Sequence, residues 1–364
     1  MDIFDFFQKH IAEDILTENG QPILTVDAIK YVHTFRNQIP HQHWHEIFPL
    51  LVKHLTSSNF VVHSYSAIAI ERILQMTDED RKPIIPPSEI VSLSGGLLEH
   101  LFALIQRHTT PEKIQENEFL MKCVMRVLIL LRYDMVPISD LVLKNLISIT
   151  KEIQKNPSNP RFYYFHFEAV GALIRFVAPT KSGELETSLY DPFAEILQNN
   201  VQEFMPYVFQ LFAALLEANP YAGLSDYYRS IIPPILMAPL WESKGNIPAL
   251  VRLLSAMMPR GAESMAQNGQ VEPILGLFRK LISTKTNETM GFDLVESVIS
   301  SFPQAILNDY YERIFRDMFT RLSSSKTETF SVRFVRFYHF FVTHNEELRG
   351  ADYFVDISDR IQQE

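Results

Sequence analysis

The chain has 364 residues, with 43 Asp and Glu against 33 Lys and Arg and a net charge of −10. That balance argues against a nonspecific nucleic-acid binder, which needs clustered positive charge. Apolar residues reach 46% and charged residues 21%, so the chain can bury a core and is not disordered. The single cysteine, Cys123, excludes an internal disulfide and a Cys-built zinc cage and fits a reducing compartment. Twelve glycines argue against glycine-rich phosphate loops and tight-turned β structure.

The opening segment MDIFDFFQKHIAEDIL scatters its charges and has no basic region followed by an apolar run, so no targeting signal is expected. Apolar runs such as 127–131 fall well short of the roughly 20 residues that span a bilayer, so no membrane insertion is expected. From there the dominant period is helical. Trp44, Ile47, Phe48, Leu51 and Leu55 fall at offsets of three, four, seven and eleven, and the same offsets recur from Ile247 and from Tyr311.

Breaks at Asn19-Gly20, Ile39-Pro40, 156–160, Asn219-Pro220, Pro259-Arg260-Gly261 and 323–325 divide the pattern. Residues 1–18 pair with 22–38, 43–56 with 61–76, 94–108 with 118–132, and 138–155 with 160–177. Further on, 183–198 pair with 201–218, 226–239 with 246–259, 268–283 with 287–302, and 309–323 with 327–344. The second helices start at intervals near 40 residues, with one longer step. That is the HEAT/armadillo period. The expected fold is all-α, an α-α superhelix of about eight helix pairs running as a single array over 1–364. The longer step carries a charged, proline-rich inter-repeat loop at 77–93. Stacked pairs share a continuous core, and their second helices line the inner wall of such arrays.

HQHWH at 41–45 offers three histidines, but on a helix residues two apart face different ways, so a solvated helix start is the better reading. Cys123 lies among Phe119, Leu120, Val124 and Val127 and reads as a buried small hydrophobe. RFYYFHFE at 161–168 and RFVRFYHFF at 333–341 interleave basic and aromatic residues. Core packing explains most of their rings, which leaves Arg161, Arg333 and Arg336 as partner contacts. In the loop at 241–248, Gly245 permits a positive φ and Pro248 suits a first helical turn, while Glu242 and Lys244 are candidate partner contacts. Arg252 on the following helix is a further candidate, and so are Lys326 and Glu328 in SSKTE. No GxxxxGK[ST], GxSxG, HExxH or GxGxxG pattern is present, so no catalytic residue, cofactor or metal is expected.

Several strings resemble those of a known family, the CAS exportins (the exportin-2 family). They are VDAIKYVHTFRNQ at 26–38, PEKIQENEFLMKCVMRVL at 111–128, KNPSNPRF at 155–162, VQEFMPYVFQ at 201–210 and WESKGNIPALVRLL at 241–254. LFRKLISTK at 277–285, GFDLVE at 291–296 and SSKTE at 324–328 fit as well. The resemblance covers nearly the whole chain in register. It implies an importin-β-type karyopherin that binds importin-α together with Ran-GTP, shuttling between nucleus and cytoplasm. It matches the middle-to-late part of that family. The repeats that embrace Ran-GTP lie outside the match, so weak importin-α binding with little response to Ran-GTP is expected. The rival reading is a HEAT-repeat adaptor subunit of another complex, which periodicity alone does not separate.

Overall fold

The computed structural model describes residues 2–17, 20–219, 223–325, 327–345 and 350–363. Among them every extended regular element is helical, and one isolated antiparallel bridge joins Thr77 and Pro83. The chain divides into two compact units, Met1–Glu203 and Phe204–Glu364.

In unit 1 the helices are α1 (Ile3–His10), α2 (Ala12–Leu16), α3 (Pro22–Thr34), α4 (Trp44–His54) and α5 (Phe60–Ile73). There follow α6 (Pro87–Gln106), α7 (Pro111–Ile114), α8 (Glu118–Leu131), α9 (Ser139–Ile153) and α10 (Pro160–Gln198). Unit 2 holds α11 (Met205–Ala218), α12 (Asp226–Ile235), α13 (Ile247–Gln267) and α14 (Val271–Ile282). It ends with α15 (Glu288–Ser301), α16 (Gln304–Ser324), α17 (Glu328–His344) and α18 (Gly350–Gln363).

Helix starts follow local chemistry. Prolines open α3, α6, α7 and α10, where a missing N–H is no loss. Asn59 and Asn159 accept the first free N–H groups of α5 and α10 on their side-chain oxygens. The second helices stack in rows. In unit 1, α3 packs on α5, α5 on α8 and α8 on α10; in unit 2, α11 packs on α13, α13 on α15 and α15 on α17. First helices cover one side of each row, α4 on α5, α6 on α8, α9 on α10 and α14 on α15. Trp44, Phe48, Phe102 and Phe162 fill the seam in unit 1, and Phe209, Phe278, Phe292 and Tyr311 fill it in unit 2.

Three local expectations change, and one pair of expected helices joins end to end. Residues 1–18 form two short helices, because Ile11 (φ −122°, ψ −35°) leaves helical geometry. The loop expected over 77–93 ends earlier, at Pro86. Pro86 is extended (ψ 141°) and Pro87 is preset for a first helical turn, so α6 claims 87–93. The two helices expected at 160–177 and 183–198 are both present, as the two arms of α10 that meet at a kink at Lys181 (φ −133°, ψ 37°). At 259–261 no break occurs, and α13 runs through to Gln267. Gly261 serves packing there: a Cβ would stand 2.2 Å from Leu224 Cδ1. Gly291 does the same in α15, where a Cβ would meet Ile282 Cγ2 at 2.5 Å and its backbone nitrogen at 3.1 Å.

By length and composition α6 is apolar enough to cross a membrane, a property that the short apolar runs conceal. Its stripe of Leu97, Leu98, Leu101, Phe102 and Ile105 is buried, and the helix packs on α8.

Candidate interaction face on the second helices

With one side against the first helices, each second helix keeps a stripe open to solvent at three- and four-residue spacing. On α8 it carries Phe119, Lys122, Arg126 and Ile129; on α13, Pro248, Arg252, Ser255 and Pro259. Polar struts tie neighbouring stripes together. Arg161 reaches Glu118 at 3.4 Å. The Arg252 guanidinium forks onto Glu217 at 2.9 and 2.6 Å and also donates to Gln210. The Ser297 hydroxyl donates to Ser255 Oγ at 2.8 Å. Arg333 pairs with Asp293 and, at 3.5 Å, with Glu296, and lies over the Phe292 ring. Burial raises the Glu296 carboxyl above its usual range; Arg333 opposes that shift and Asp293 adds to it.

Arg161, Arg252 and Arg336 all stand exposed on these stripes. Arg161 and Arg252 already bind a neighbouring helix, and on α17 Arg336 is exposed where Arg333 is half-buried. Glu242 and Lys244 are exposed in the turn before α13. Beneath them Trp241 is buried and donates from Nε1 to the Ile235 carbonyl at 2.8 Å, so the indole anchors the turn. Gly245 does not use the positive φ allowed to it; among the described glycines that conformation belongs to Gly269. Glu328 is exposed in the first turn of α17, where a carboxylate meets the positive end of the helix dipole. Lys326 lies outside the described residues.

Two of the distinctive strings turn out to be fasteners. Within KNPSNPRF, the Asn156 carbonyl accepts from Gln115 Nε2 at 2.9 Å and Asn159 Nδ2 donates to the Gln115 carbonyl at 2.9 Å. The segment thereby latches onto the junction between α7 and α8. In SSKTE, the Thr327 hydroxyl caps α17 and donates to Glu288 Oε1 at 2.7 Å. The other oxygen of Glu288 pairs with Arg321 at 2.9 Å, both side chains buried, and Arg321 Nε donates to the Ile282 carbonyl at 2.9 Å.

The interleaved rings behave mainly as core. Phe162, His166, Phe167, Phe337 and Phe341 are buried. Burial alone pushes the His166 imidazole down to about 3, and its Nε2 lies 2.8 Å from the Thr150 hydroxyl. His43 stacks on Phe4 with ring centroids 3.9 Å apart, and among the described residues no group of three His, Cys, Asp or Glu is placed to hold a metal. Cys123 is fully buried, which drives its thiol pKa strongly upward.

Sequence reasoning missed the second buried carboxylate, Glu71, which three cations contact from α5 and α8. One signal was available: Glu71 directly follows the uncharged run SAIAI.

Helix pairs stacked in rows, with polar stripes on the second helices, define a HEAT-repeat solenoid. Family models agree in detail. The model described as CAS/CSE protein, C-terminus matches residues 71–364, and the one described as Cse1 matches 1–70. The chain belongs to the CAS/CSE family. It is 40% identical over 367 residues to the importin-alpha re-exporter of Schizosaccharomyces pombe, covering 100% of this chain and 38% of that one. It is 38% identical over 344 residues to human exportin-2, covering 93% of this chain and 35% of the relative. It therefore spans little more than a third of the curated relatives it matches. A solved structure of the exportin Cse1 in its cargo-free, cytoplasmic state superposes with a TM-score of 0.86 at 33% identity, over 100% of this chain and 37% of that one. An importin-β structure gives 0.66 at 12% identity, over 100% of this chain and 42% of that one, a likeness of fold alone.

Proposed function

We propose that these residues form part of a nuclear export receptor that carries importin-α, together with Ran-GTP, from nucleus to cytoplasm. The observation that supports this most is the in-register similarity over the whole chain to a relative named for importin-α re-export. The chain contributes binding surface and no bond chemistry. Its open stripes offer charged and aromatic groups, and its neighbouring second helices are joined by struts that loosen or tighten separately. Small shifts at such junctions add up, and each ligand favours the set of shifts that fits it. On this reading Arg161, Arg252 and Arg336 contact a partner, as do Glu242, Lys244, Lys326 and Glu328.

Calorimetry of the 364-residue chain with importin-α, in the presence of Ran-GTP or Ran-GDP, tests the reading. Weak importin-α binding that Ran-GTP changes little is the expected result. A folded chain that binds neither protein would reject it. Tight, strictly GTP-dependent capture would place the coupling between ligands inside these residues.

A further inference from the structure

Unit 1 contains an arrangement that stability alone does not require. Glu71, at the end of α5, is 2% exposed. Its Oε1 lies 3.4 Å from Arg126 Nη2, and its Oε2 lies 3.3 Å from Lys122 Nζ and 3.6 Å from Arg72 Nε. Gln75 donates to the same carboxylate. One cation is enough to neutralise one buried carboxylate. Here three converge, and like charges that close together repel. The excess is visible at His33, whose imidazole is lowered first by burial and then by Arg36 and Arg72, against the pull of Glu71.

The three heads are not buried with their anchor. The side chains of Arg72, Arg126 and Lys122 keep 47%, 27% and 24% of their surface exposed, on the open stripes of α5 and α8. Glu71 thus holds the cations in place from below while their remaining donors face outward. A ligand that meets them gives up less side-chain entropy than one that must gather three free side chains. Lys122 also sits 5.8 Å over the Phe165 ring, which fixes it from the α10 side.

We propose that this site takes an acidic polypeptide segment, its Asp or Glu carboxylates accepting from Arg72, Lys122 and Arg126. The excess is two positive charges, the right scale for a few carboxylates. It suits nucleic acid poorly, since nonspecific binding is carried by neutralising many phosphates along the backbone. Residues 1–203 carry 25 Asp and Glu against 18 Lys and Arg, a surrounding field that repels a long polyanion most. The inference goes beyond the transport reading and does not depend on which cargo the receptor carries.

The test uses the full 364-residue chain and fluorescence anisotropy with a labelled twelve-residue Glu/Gly peptide, a twelve-residue Lys/Gly peptide and a twelve-nucleotide oligouridine. The Glu/Gly peptide is expected to bind at 50 mM salt and to weaken about tenfold at 300 mM, as screened ion pairs do. Arg72→Gln with Lys122→Gln leaves Arg126 on Glu71 and should lower that affinity at least tenfold. Arg175→Gln, exposed on the same row, should change it less than twofold. Circular dichroism and a thermal midpoint check that the double variant is folded. If it is not, Arg72→Gln alone, the most exposed of the three, should still lower affinity at least threefold. The proposal is overturned if the Glu/Gly peptide does not bind, if the folded variants bind it like the parent, or if the oligouridine or the Lys/Gly peptide binds as tightly.

Discussion

Each unit carries a row of four second helices, and the two rows differ in the sign of their charge. In unit 1, α3, α5, α8 and the arm of α10 before Lys181 hold Lys30, Arg72, Lys122, Arg126, Arg161 and Arg175 against Asp27, Glu71, Glu118 and Glu168. In unit 2, α11, α13, α15 and α17 hold Arg252, Arg260, Arg333 and Arg336 against Glu217, Glu263, Glu288, Asp293, Glu296 and Glu328. The geometry of stacking is the same, so the difference lies in how the charges are used. Unit 2 ties Arg252 to Glu217 and Arg333 to Asp293 on neighbouring helices, and unit 1 also has such a strut, Arg161 to Glu118. Unit 1 gathers cations around a carboxylate that cannot satisfy them all. One row is braced by its charges, and the other presents them.

The largest effect should come from the brace at the far end of unit 2. Glu288→Ala leaves Arg321 buried without a counter-charge and should lower stability by about 3–5 kcal/mol in urea denaturation. The double change Glu288→Leu with Arg321→Met should recover most of it, because an apolar pair needs no solvation. If the single change proves mild, the pair is not what holds α16 and α17 to α15.

Acid should separate the units next. Buried His166 stays neutral down to about 3 in the folded chain, whereas an unfolded imidazole takes a proton below about 6.5. Its contribution is therefore complete above pH 6.5 and is lost as pH falls, by up to about 1.4 kcal/mol per pH unit. In unit 2 the two histidines, His339 and His344, are exposed, and burial raises the carboxyls of Glu296 and Asp317. Acidification relieves those two carboxylates instead of straining them. Hydrogen exchange at pH 5 should thus show α9 and α10 opening before α15 to α17, and His166→Gln should reduce the difference. Equal opening in both units would remove the histidine from the explanation.

A smaller loss is expected from Glu71→Gln, about 1–3 kcal/mol, since three cations lose their shared acceptor but remain partly solvated. Smallest of all is Arg252→Ala. Its pair is exposed and should contribute about 0.2–1 kcal/mol, although charge reversal there or at Arg336 should weaken partner binding while leaving the melting curve nearly unchanged. Binding that survives both reversals would move the partner face off unit 2's open stripes.

The helix pairs were legible because each needs an apolar stripe at a fixed spacing, and Trp44 through Leu55 shows that spacing without any neighbour present. Proline and glycine misled where packing overrode their local preference: Gly261 is small for the sake of Leu224, and Pro259 sits inside a continuous helix. The open positions of Arg161, Arg252 and Arg336 also follow from periodicity. What periodicity does not carry is pairing between residues one repeat apart. Glu71 meets Lys122, Gln115 meets Asn156 and Glu288 meets Thr327 only after the repeats have stacked. For that reason the fastener at 324–328 read as a contact motif in the bare sequence, and the one at 155–162 stood out only as an unusual string.

The interruption at Lys181 has a mechanical consequence. From α2 to the start of α10, connections of three or more residues separate successive helices. Through α10, two arms form a single jointed lever, and the joint is one residue wide. The Lys181 ammonium clasps it, reaching Asp140 on α9 at 3.1 Å and Glu184 on the far arm at 3.6 Å. Because Asp140 and Glu184 lie open to solvent, dissolved ions compete for that clasp and set its stiffness. The ammonium thus couples the far arm to α9 across the joint, and rising ionic strength should loosen that coupling like a slackened wrist.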